Sequence, residues 1–240
     1  MALSFHGSSR RVLCAGTLIL LLVLLAFEAG KEGLSNFYVQ SAHLEIARWS
    51  QPGQRISGDD GARVMRHLAK SLDYSPNNPW TLEERGTLQL REIGATKDPQ
   101  LAVAAARSAN ADFRMALRER PTSPFSWANF ALSKLYLGEQ DDALFRAIGR
   151  AEELGPWEPE VQQAVIFVGL TVWNRLNPAQ QAAVVRAMQR GAQRDPGKIA
   201  EIAKTFNRVD LFCALRYSGF QSSEVCRQTS TPGTKPNRQQ

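Results

Sequence analysis

Residues 121–159 read PTSPFSWANFALSKLYLGEQDDALFRAIGRAEELGPWEP, and this stretch decides the fold. Prolines stand at both ends, and a glycine divides the stretch into two segments of helical length. Ala131 in the first segment and Ala143 in the second are small enough to let two helices approach closely. The stretch therefore predicts one helix over 124–137 and another over 140–154, joined by a tight turn.

The same stretch resembles a tetratricopeptide (TPR) repeat. In that signature a Trp opens helix A, a small residue follows four positions later, a Gly lies in the turn, an Ala comes early in helix B and a Pro follows helix B. The corresponding residues here are Trp127, Ala131, Gly138, Ala143 and Pro156. Helix B has one extra residue, and the aromatic residue expected in the middle of helix A comes slightly late, as Tyr136. The resemblance implies a helical hairpin of the kind that stacks into arrays.

A helix-capping residue directly before a proline recurs along the chain. The five pairs are Asn78-Pro79, Asp98-Pro99, Ser123-Pro124, Asn177-Pro178 and Asp195-Pro196. The side chain of such a residue accepts a hydrogen bond from the first turn, and the proline fits the first helical position. These starts, together with apolar periodicity, predict further helices. Their ranges are 62–74, 79–92, 99–120, 159–175, 178–194, 196–207 and 209–217.

The repeats are irregular in length. The prolines that follow successive hairpins are Pro76, Pro121, Pro156 and Pro196, at spacings of 45, 35 and 40 residues. A strict TPR has 34 residues. The predicted fold class is therefore all-α: an irregular TPR-like array of antiparallel helical hairpins, an α-solenoid, over residues 34–217. The apolar stretch 164–173 is too short to span a bilayer and is predicted to be a buried helix.

The N-terminus predicts a membrane anchor. Arg10 and Arg11 precede an uncharged apolar run over 12–27, which is long for a signal-peptide core. Neither candidate cleavage site has the small residues that cleavage needs, so we expect an uncleaved signal anchor over 12–29. By the positive-inside rule, residues 1–11 stay in the cytoplasm and the rest faces outward, which in a bacterium is the periplasm. The polar residues 218–240 are expected to form a flexible tail.

Two cysteines lie outside the anchor, Cys213 and Cys226. In an oxidising compartment they could close a loop, which the chain-entropy model values at about 3 kcal/mol. The alternative is a buried Cys213 and an exposed Cys226 that never meet. The sequence leaves both possibilities open.

Composition and motifs argue against several function classes. The net charge of +6 is mild and spread along the chain, and clusters such as Arg114 and Arg118 are typical of solvated helix faces. Aromatic residues are not interleaved with basic ones, so nucleic acid is not an expected partner. We find no phosphate-binding loop, nucleophile elbow or Cys-x-x-Cys motif, and His43 and His67 lack a second ligand at metal spacing. We therefore expect no catalytic residues, no metal and no cofactor.

The resemblance to TPR arrays implies a partner-binding groove lined by the A helices. The candidate groove residues are Trp80, Glu84, Arg91, Phe125, Asn129, Leu132 and Tyr136. Asn129 matches a position that contacts peptide backbone in related repeats, but an intramolecular hydrogen bond explains it equally well. Trp157 is expected to pack between consecutive repeats rather than to anchor a partner.

The short anchor, the Trp-Ala-Asn helix and the Leu-Gly-Pro-Trp-Glu-Pro junction over 154–159 resemble the VpsP family of bacterial polysaccharide-biosynthesis proteins. This resemblance implies a periplasm-facing accessory at the inner membrane. Such a protein would bind the proteins of an exopolysaccharide machinery and would not itself be a glycosyltransferase.

Two alternatives remain open. One is an assembly factor for another envelope complex, such as cytochrome maturation. The other is a carbohydrate-binding or carbohydrate-processing protein that uses tryptophans as sugar platforms, namely Trp80, Trp127, Trp157 and Trp173. Because those tryptophans mostly stand at packing positions, direct polysaccharide contact is not the expected function.

Overall fold

A computed structural model describes residues 6–49, 58–215 and 226. Within those residues the regular structure is helical and includes no strand, in agreement with the predicted all-α class. The helices are α1 His6–Trp49, α2 Gly58–Tyr74, α3 Pro79–Ala95, α4 Pro99–Glu119, α5 Pro124–Tyr136, α6 Asp142–Leu154, α7 Pro159–Thr171, α8 Pro178–Arg194, α9 Pro196–Thr205 and α10 Val209–Cys213, with a 3-10 turn over Trp173–Arg175. The chain divides into two compact units, Met1–Glu84 and Arg85–Gln240, with the boundary inside α3.

α1 is one continuous helix of 44 residues. The sequence instead predicted an anchor over 12–29 and a separate array that begins at 34. No proline interrupts the junction, and Lys31 Nζ lies 3.0 Å from Glu28 Oε2 across one helical turn. By length and composition α1 can cross a membrane: its apolar stretch of 18 residues has a mean hydropathy of 2.3, and none of that stretch is buried within the protein. The predicted tail, 218–240, lies outside the described residues except for Cys226.

In the first unit, α2 packs against the part of α1 that follows the apolar run. Their buried apolar side chains are Val39, Ala42, Val64, Leu68 and Leu72. Ser71 lies at the centre of a buried chain of hydroxyls, 2.8 Å from Ser35 Oγ and 2.9 Å from Thr81 Oγ1. Because each hydroxyl has a partner, these polar groups are buried without the cost of an unmade hydrogen bond.

The predicted helix starts are confirmed at all five cap-proline pairs. At each pair the cap side chain accepts a hydrogen bond from a backbone N–H group in the first turn of the helix that follows. The accepting side chains are those of Asn78, Asp98, Ser123, Asn177 and Asp195. Asn177 also forms a capping box, because the Gln180 side chain accepts from its backbone N–H at 2.9 Å. The starts are predictable because cap and proline act within a few residues of each other.

In the second unit, each helix from α4 to α9 packs against the next one in the chain. Contacts also join α5 to α7, α6 to α8, and α7 to α9, while α10 packs on α9. The predicted buried helix is confirmed, since most apolar residues of the 164–173 stretch lie in the core of this unit. α7 can be apolar all round because α5, α6, α8 and α9 surround it.

The central hairpin and the helix that follows it differ from their predictions only at the helix ends. α6 begins at Asp142 rather than at 140, because Asp141 is its cap and accepts from Ala143 N and Leu144 N. α7 ends at Thr171, and the chain then tightens into the 3-10 turn instead of continuing to 175. Gly138 has φ +73°, a left-handed conformation that favours glycine. The predicted turn glycine is therefore required by the backbone.

Candidate functional site

Four of the predicted groove residues lie on α5, where their spacing places them on one helix face. Phe125 and Leu132 are half-buried and pack against the core, whereas Tyr136 is 43% exposed. Asn129 Nδ2 donates to Thr87 Oγ1 at 3.2 Å. Asn129 thus makes the intramolecular hydrogen bond that the sequence left as one of two possibilities. The exposed part of this face lies toward its C-terminal end.

The other three candidates lie on α3. Trp80 is 57% exposed, and Glu84 Oε1 lies 3.5 Å from His43 Nε2. Arg91 is exposed. Trp80 and Glu84 belong to the first unit, and Arg91 belongs to the second together with the α5 residues.

His43 and His67 each have one carboxylate neighbour. His67 Nε2 lies 3.6 Å from Glu45 Oε1, and His43 has Glu84. Among the described residues, no group of three His, Cys, Asp or Glu side chains is arranged to hold a metal ion. Glu45 also accepts from Arg63 Nε at 2.8 Å, which makes it part of an ion-pair network between α1 and α2.

Cys213 and Cys226 are joined in a disulfide, with their Cα atoms 5.6 Å apart. Cys226 is buried and Cys213 is half-buried. Cys226 is therefore not the exposed thiol of the alternative hypothesis. The bond ties residue 226 to the end of α10.

The tryptophans of the second unit have different environments. Trp127 is half-buried, and its Nε1 donates to Pro121 O at 2.8 Å. Trp157 is 58% exposed, which corrects the expectation that it packs between repeats. Its ring instead faces Arg190, whose Cζ lies 5.6 Å from the ring centroid, and Arg194 Nη2 donates to its carbonyl at 2.7 Å. One arginine thus contacts the ring and another the backbone of Trp157, and much of the residue remains in solvent.

Beside Trp157 lies a cleft of about 590 Å³, which we call the arginine cleft. α6 supplies one wall and α8 the other, and these helices pack against each other. The lining residues are Arg146, Gly149, Arg150, Glu152, Glu153, Pro156, Arg186 and Arg190. Four guanidinium groups against two carboxylates leave a formal excess of two positive charges.

Buried Glu152 on α6 is bonded to two arginines of α8 that line the cleft. Its side chain is 5% exposed and accepts from Arg186 Nε at 3.1 Å, from Arg186 Nη2 at 2.7 Å and from Arg190 Nη1. Burial by itself would raise the pKa of Glu152, but the hydrogen bonds from Arg186 and Arg190 outweigh burial and lower it. The carboxylate stays ionised and fixes both guanidinium groups on the α8 side of the cleft.

The other two arginines are held less tightly. Arg150 Nη1 donates at 2.7 Å to Glu153, whose side chain is 65% exposed, so water screens that pair. Arg146 is exposed and makes no ion pair within the described parts of the chain. These two groups remain available to a negatively charged ligand.

Sequence reasoning missed the arginine cleft, although a signal was present. Arg146 and Arg150 stand four residues apart on α6, and Arg186, Arg190 and Arg194 repeat that spacing on α8. Each set forms a basic stripe on its own helix. Only the packing of α6 against α8 brings the two stripes together.

No protein-family model matches this chain, and no curated protein matches it.

Proposed function

We propose that this chain is a membrane-anchored, TPR-like scaffold that binds protein partners of an exopolysaccharide biosynthesis or export machinery. It would be a single-pass protein of the bacterial inner membrane, with its helical units in the periplasm. The exopolysaccharide process rests on the resemblance to the VpsP family, and the scaffold role rests on the anchor and the helical array.

The observation that carries the scaffold proposal is the contact pattern of α5 to α9. Each of these helices contacts its successor, and α5, α6 and α7 each also contact the helix two places further along. This pattern is expected when helical hairpins stack on one another, as in TPR and other solenoid arrays. Such arrays present long surfaces for proteins and need no reacting groups of their own.

The anchor is supported by the exposure of α1. Its apolar side chains from Leu13 to Phe27 are more than half exposed, including Leu18, Leu22 and Leu25. Exposed apolar surface of this extent requires an apolar partner, and a bilayer supplies one along the apolar part of the helix. The basic pair at 10 and 11 favours a cytoplasmic N-terminus.

The partner surface that we propose on the second unit is the exposed end of the α5 face, around Tyr136. An exposed tyrosine that borders half-buried apolar side chains is a typical anchor in protein interfaces. Trp80 offers a similar exposed aromatic group on the first unit.

A chromosomal deletion tests the process. We expect the deletion to abolish or shorten the secreted polymer while the precursor enzymes keep their activity. Normal polymer yield and length in the deletion strain would contradict the proposal.

Crosslinking in intact cells tests the partner class. A photo-crosslinking amino acid at position 136 should capture polysaccharide-machinery proteins, whereas the same group at exposed Lys204 on α9 serves as the control. Capture of cytochrome-maturation proteins at position 136 would instead favour the envelope-assembly alternative. A periplasmic reporter that is active when fused after residue 215, and inactive when fused before residue 12, would support the orientation.

A further inference from the structure

We propose that the arginine cleft binds the carboxylate groups of an acidic polysaccharide, with Trp157 as a platform for a sugar ring at its edge. The choice of a sugar rests on the proposed exopolysaccharide function. The choice of a carboxylate rests on the cleft itself.

The α8 side of the cleft, with Arg186 and Arg190, is ordered before an anion binds. Arg186 and Arg190 are both bonded to buried Glu152, so their rotamers are already ordered before a ligand arrives. Binding groups ordered in advance lose less conformational entropy on binding. A guanidinium also has five N–H donors in a planar fork, so Glu152 does not use all the donors of these two arginines.

The α6 side of the cleft supplies two arginines, Arg146 and Arg150, that a ligand can bind directly. Arg146 has no ion-pair partner in the described part of the chain, and Arg150 is paired only with an exposed carboxylate. A guanidinium binds a carboxylate through two parallel hydrogen bonds, which fixes the orientation of the carboxylate as well as its position. One ligand carboxylate can therefore bind Arg146 or Arg150 without displacing the buried Glu152 from Arg186 and Arg190.

The charge balance of the cleft favours a ligand whose negative charges are far apart over one whose negative charges are close together. Glu152 and Glu153 reduce the four positive charges to a net two. A nucleic acid strand carries a phosphate every ~3.4 Å and is bound by surfaces with a larger cationic excess. A uronic acid polymer carries one carboxylate on each sugar ring, and this spacing of charge suits Arg146 and Arg150.

Trp157 provides the contact for the sugar ring. Its indole is 58% exposed and is held beside Arg190, while the Arg194 hydrogen bond fixes its backbone. An ordered, exposed indole offers a large flat apolar surface, and the C–H face of a pyranose can stack on it. The cleft volume of about 590 Å³ lies within the range of roughly 300–1,000 Å³ that is typical of small-ligand sites.

The lining also argues against an acidic protein segment as the ligand. None of the residues that line the cleft has a large apolar side chain, so it provides no pocket for the aromatic or aliphatic anchors of a protein partner. A sugar uses polar groups and one stacking face, which the cleft and Trp157 supply.

The test measures binding to the full-length protein in detergent micelles. The probe is a galacturonic acid tetramer, and binding is followed by calorimetry and by quenching of tryptophan fluorescence. We expect saturable binding that weakens as salt is raised, and no binding of the carboxyl-reduced neutral tetramer. Arg146→Gln and Trp157→Ala should each weaken binding at least tenfold. Arg114→Gln, at an exposed arginine on α4 outside the cleft, should leave binding unchanged.

Several results would overturn the proposal. These are no binding of the acidic tetramer, equal binding of the neutral tetramer, or binding that both cleft variants leave unchanged. Equal binding of a glutamate tetramer would show that the cleft recognises acidic peptides and would overturn the sugar assignment. Circular dichroism of each variant checks that the helices remain folded.

Failure of the cleft and failure of the scaffold function have different signatures. If only the cleft proposal fails, an Arg146→Gln strain makes normal polymer while the deletion strain does not. If only the exopolysaccharide function fails, the deletion strain makes normal polymer while the purified protein still binds the acidic tetramer.

Discussion

Gly169 on α7 lies directly against Val184 on α8. A Cβ atom at position 169 would stand 2.3 Å from Val184 Cγ2 and 3.0 Å from Val184 Cγ1. Both residues are buried, and α7 and α8 pack against each other. The absence of a side chain at Gly169 therefore sets how closely the two helices approach.

The first prediction is that Gly169→Ala destabilises the protein, by about 1–3 kcal/mol, because the added methyl group overpacks the helix contact. Gly149→Ala on α6 is the matched control, since nothing lies within 4 Å of its Cβ position. Alanine there should stabilise by roughly 0.5–1 kcal/mol through helix propensity. Urea unfolding measures both changes. Equal effects of the two substitutions would show that α7 and α8 are not packed as described.

The second prediction concerns the ion pair between α3 and α4. Arg85 Nε and Nη2 donate to the two oxygens of Asp112 at 2.8 and 2.6 Å, and the Asp112 side chain is 5% exposed. Arg85→Ala should destabilise by about 3–5 kcal/mol, because it leaves a carboxylate buried without its partner. Arg91→Ala, at an exposed arginine on the same helix, should change stability by less than about 0.5 kcal/mol. Similar losses from both variants would contradict a special role for Arg85.

The third prediction is a pH dependence that comes from Glu152. The pKa of Glu152 is lowered in the folded protein from its ordinary value of 4.5. A carboxyl group with a lowered folded pKa stabilises the fold at pH values above its unfolded pKa, and this contribution is lost as the pH falls through the folded pKa. Glu152→Gln should therefore cost about 2 kcal/mol at pH 7 and progressively less below pH 4.5.

The control for this dependence is Glu153→Gln. The Glu153 side chain is 65% exposed, and among the described residues it pairs only with Arg150, so its removal should change stability by about 0–1 kcal/mol. Thermal unfolding between pH 3 and pH 7 measures both variants. A Glu152→Gln cost that does not shrink in acid would show that packing, rather than charge, explains the effect.

The fourth prediction concerns the disulfide. Cys213 and Cys226 are 13 residues apart in the chain, and a cross-link of that separation is worth about 3 kcal/mol in the chain-entropy model. Cys226→Ser should lower stability by that amount in oxidising buffer and should make the protein insensitive to reductant. Cys14→Ser should have no such effect, because Cys14 is not bonded. Mass spectrometry that finds Cys213 and Cys226 as free thiols in protein from the periplasm would rule out the bond.

The helix starts were predictable because a cap and its proline act locally. Asp98, Ser123 and Asn177 each bond to an N–H within three residues. Helix ends were less predictable: α7 ends at Thr171 and a 3-10 turn follows, whereas the sequence predicted a helix to residue 175. The continuity of α1 was not predicted, because the apolar run and the array from residue 34 were predicted as separate segments.

The environments of single side chains were harder to predict than the helices. Trp157 was expected to pack between consecutive repeats, yet it is 58% exposed. Asn129 on α5 donates a hydrogen bond to Thr87 on α3, 42 residues away in the chain. Long-range partners of this kind leave no periodic signal in the sequence.

The central hairpin shows most clearly which features follow from local sequence and which depend on tertiary packing. The sequence alone determined that residues 121–159 form two helices, since prolines, caps and the turn at Gly138 act through backbone geometry over a few residues. It also determined the apolar run of the N-terminal helix. Only the tertiary structure decided that the arginine stripes of α6 and α8 meet around buried Glu152. The physical reason is that a cleft is formed by the relative placement of two helices, and that placement depends on core packing over many residues.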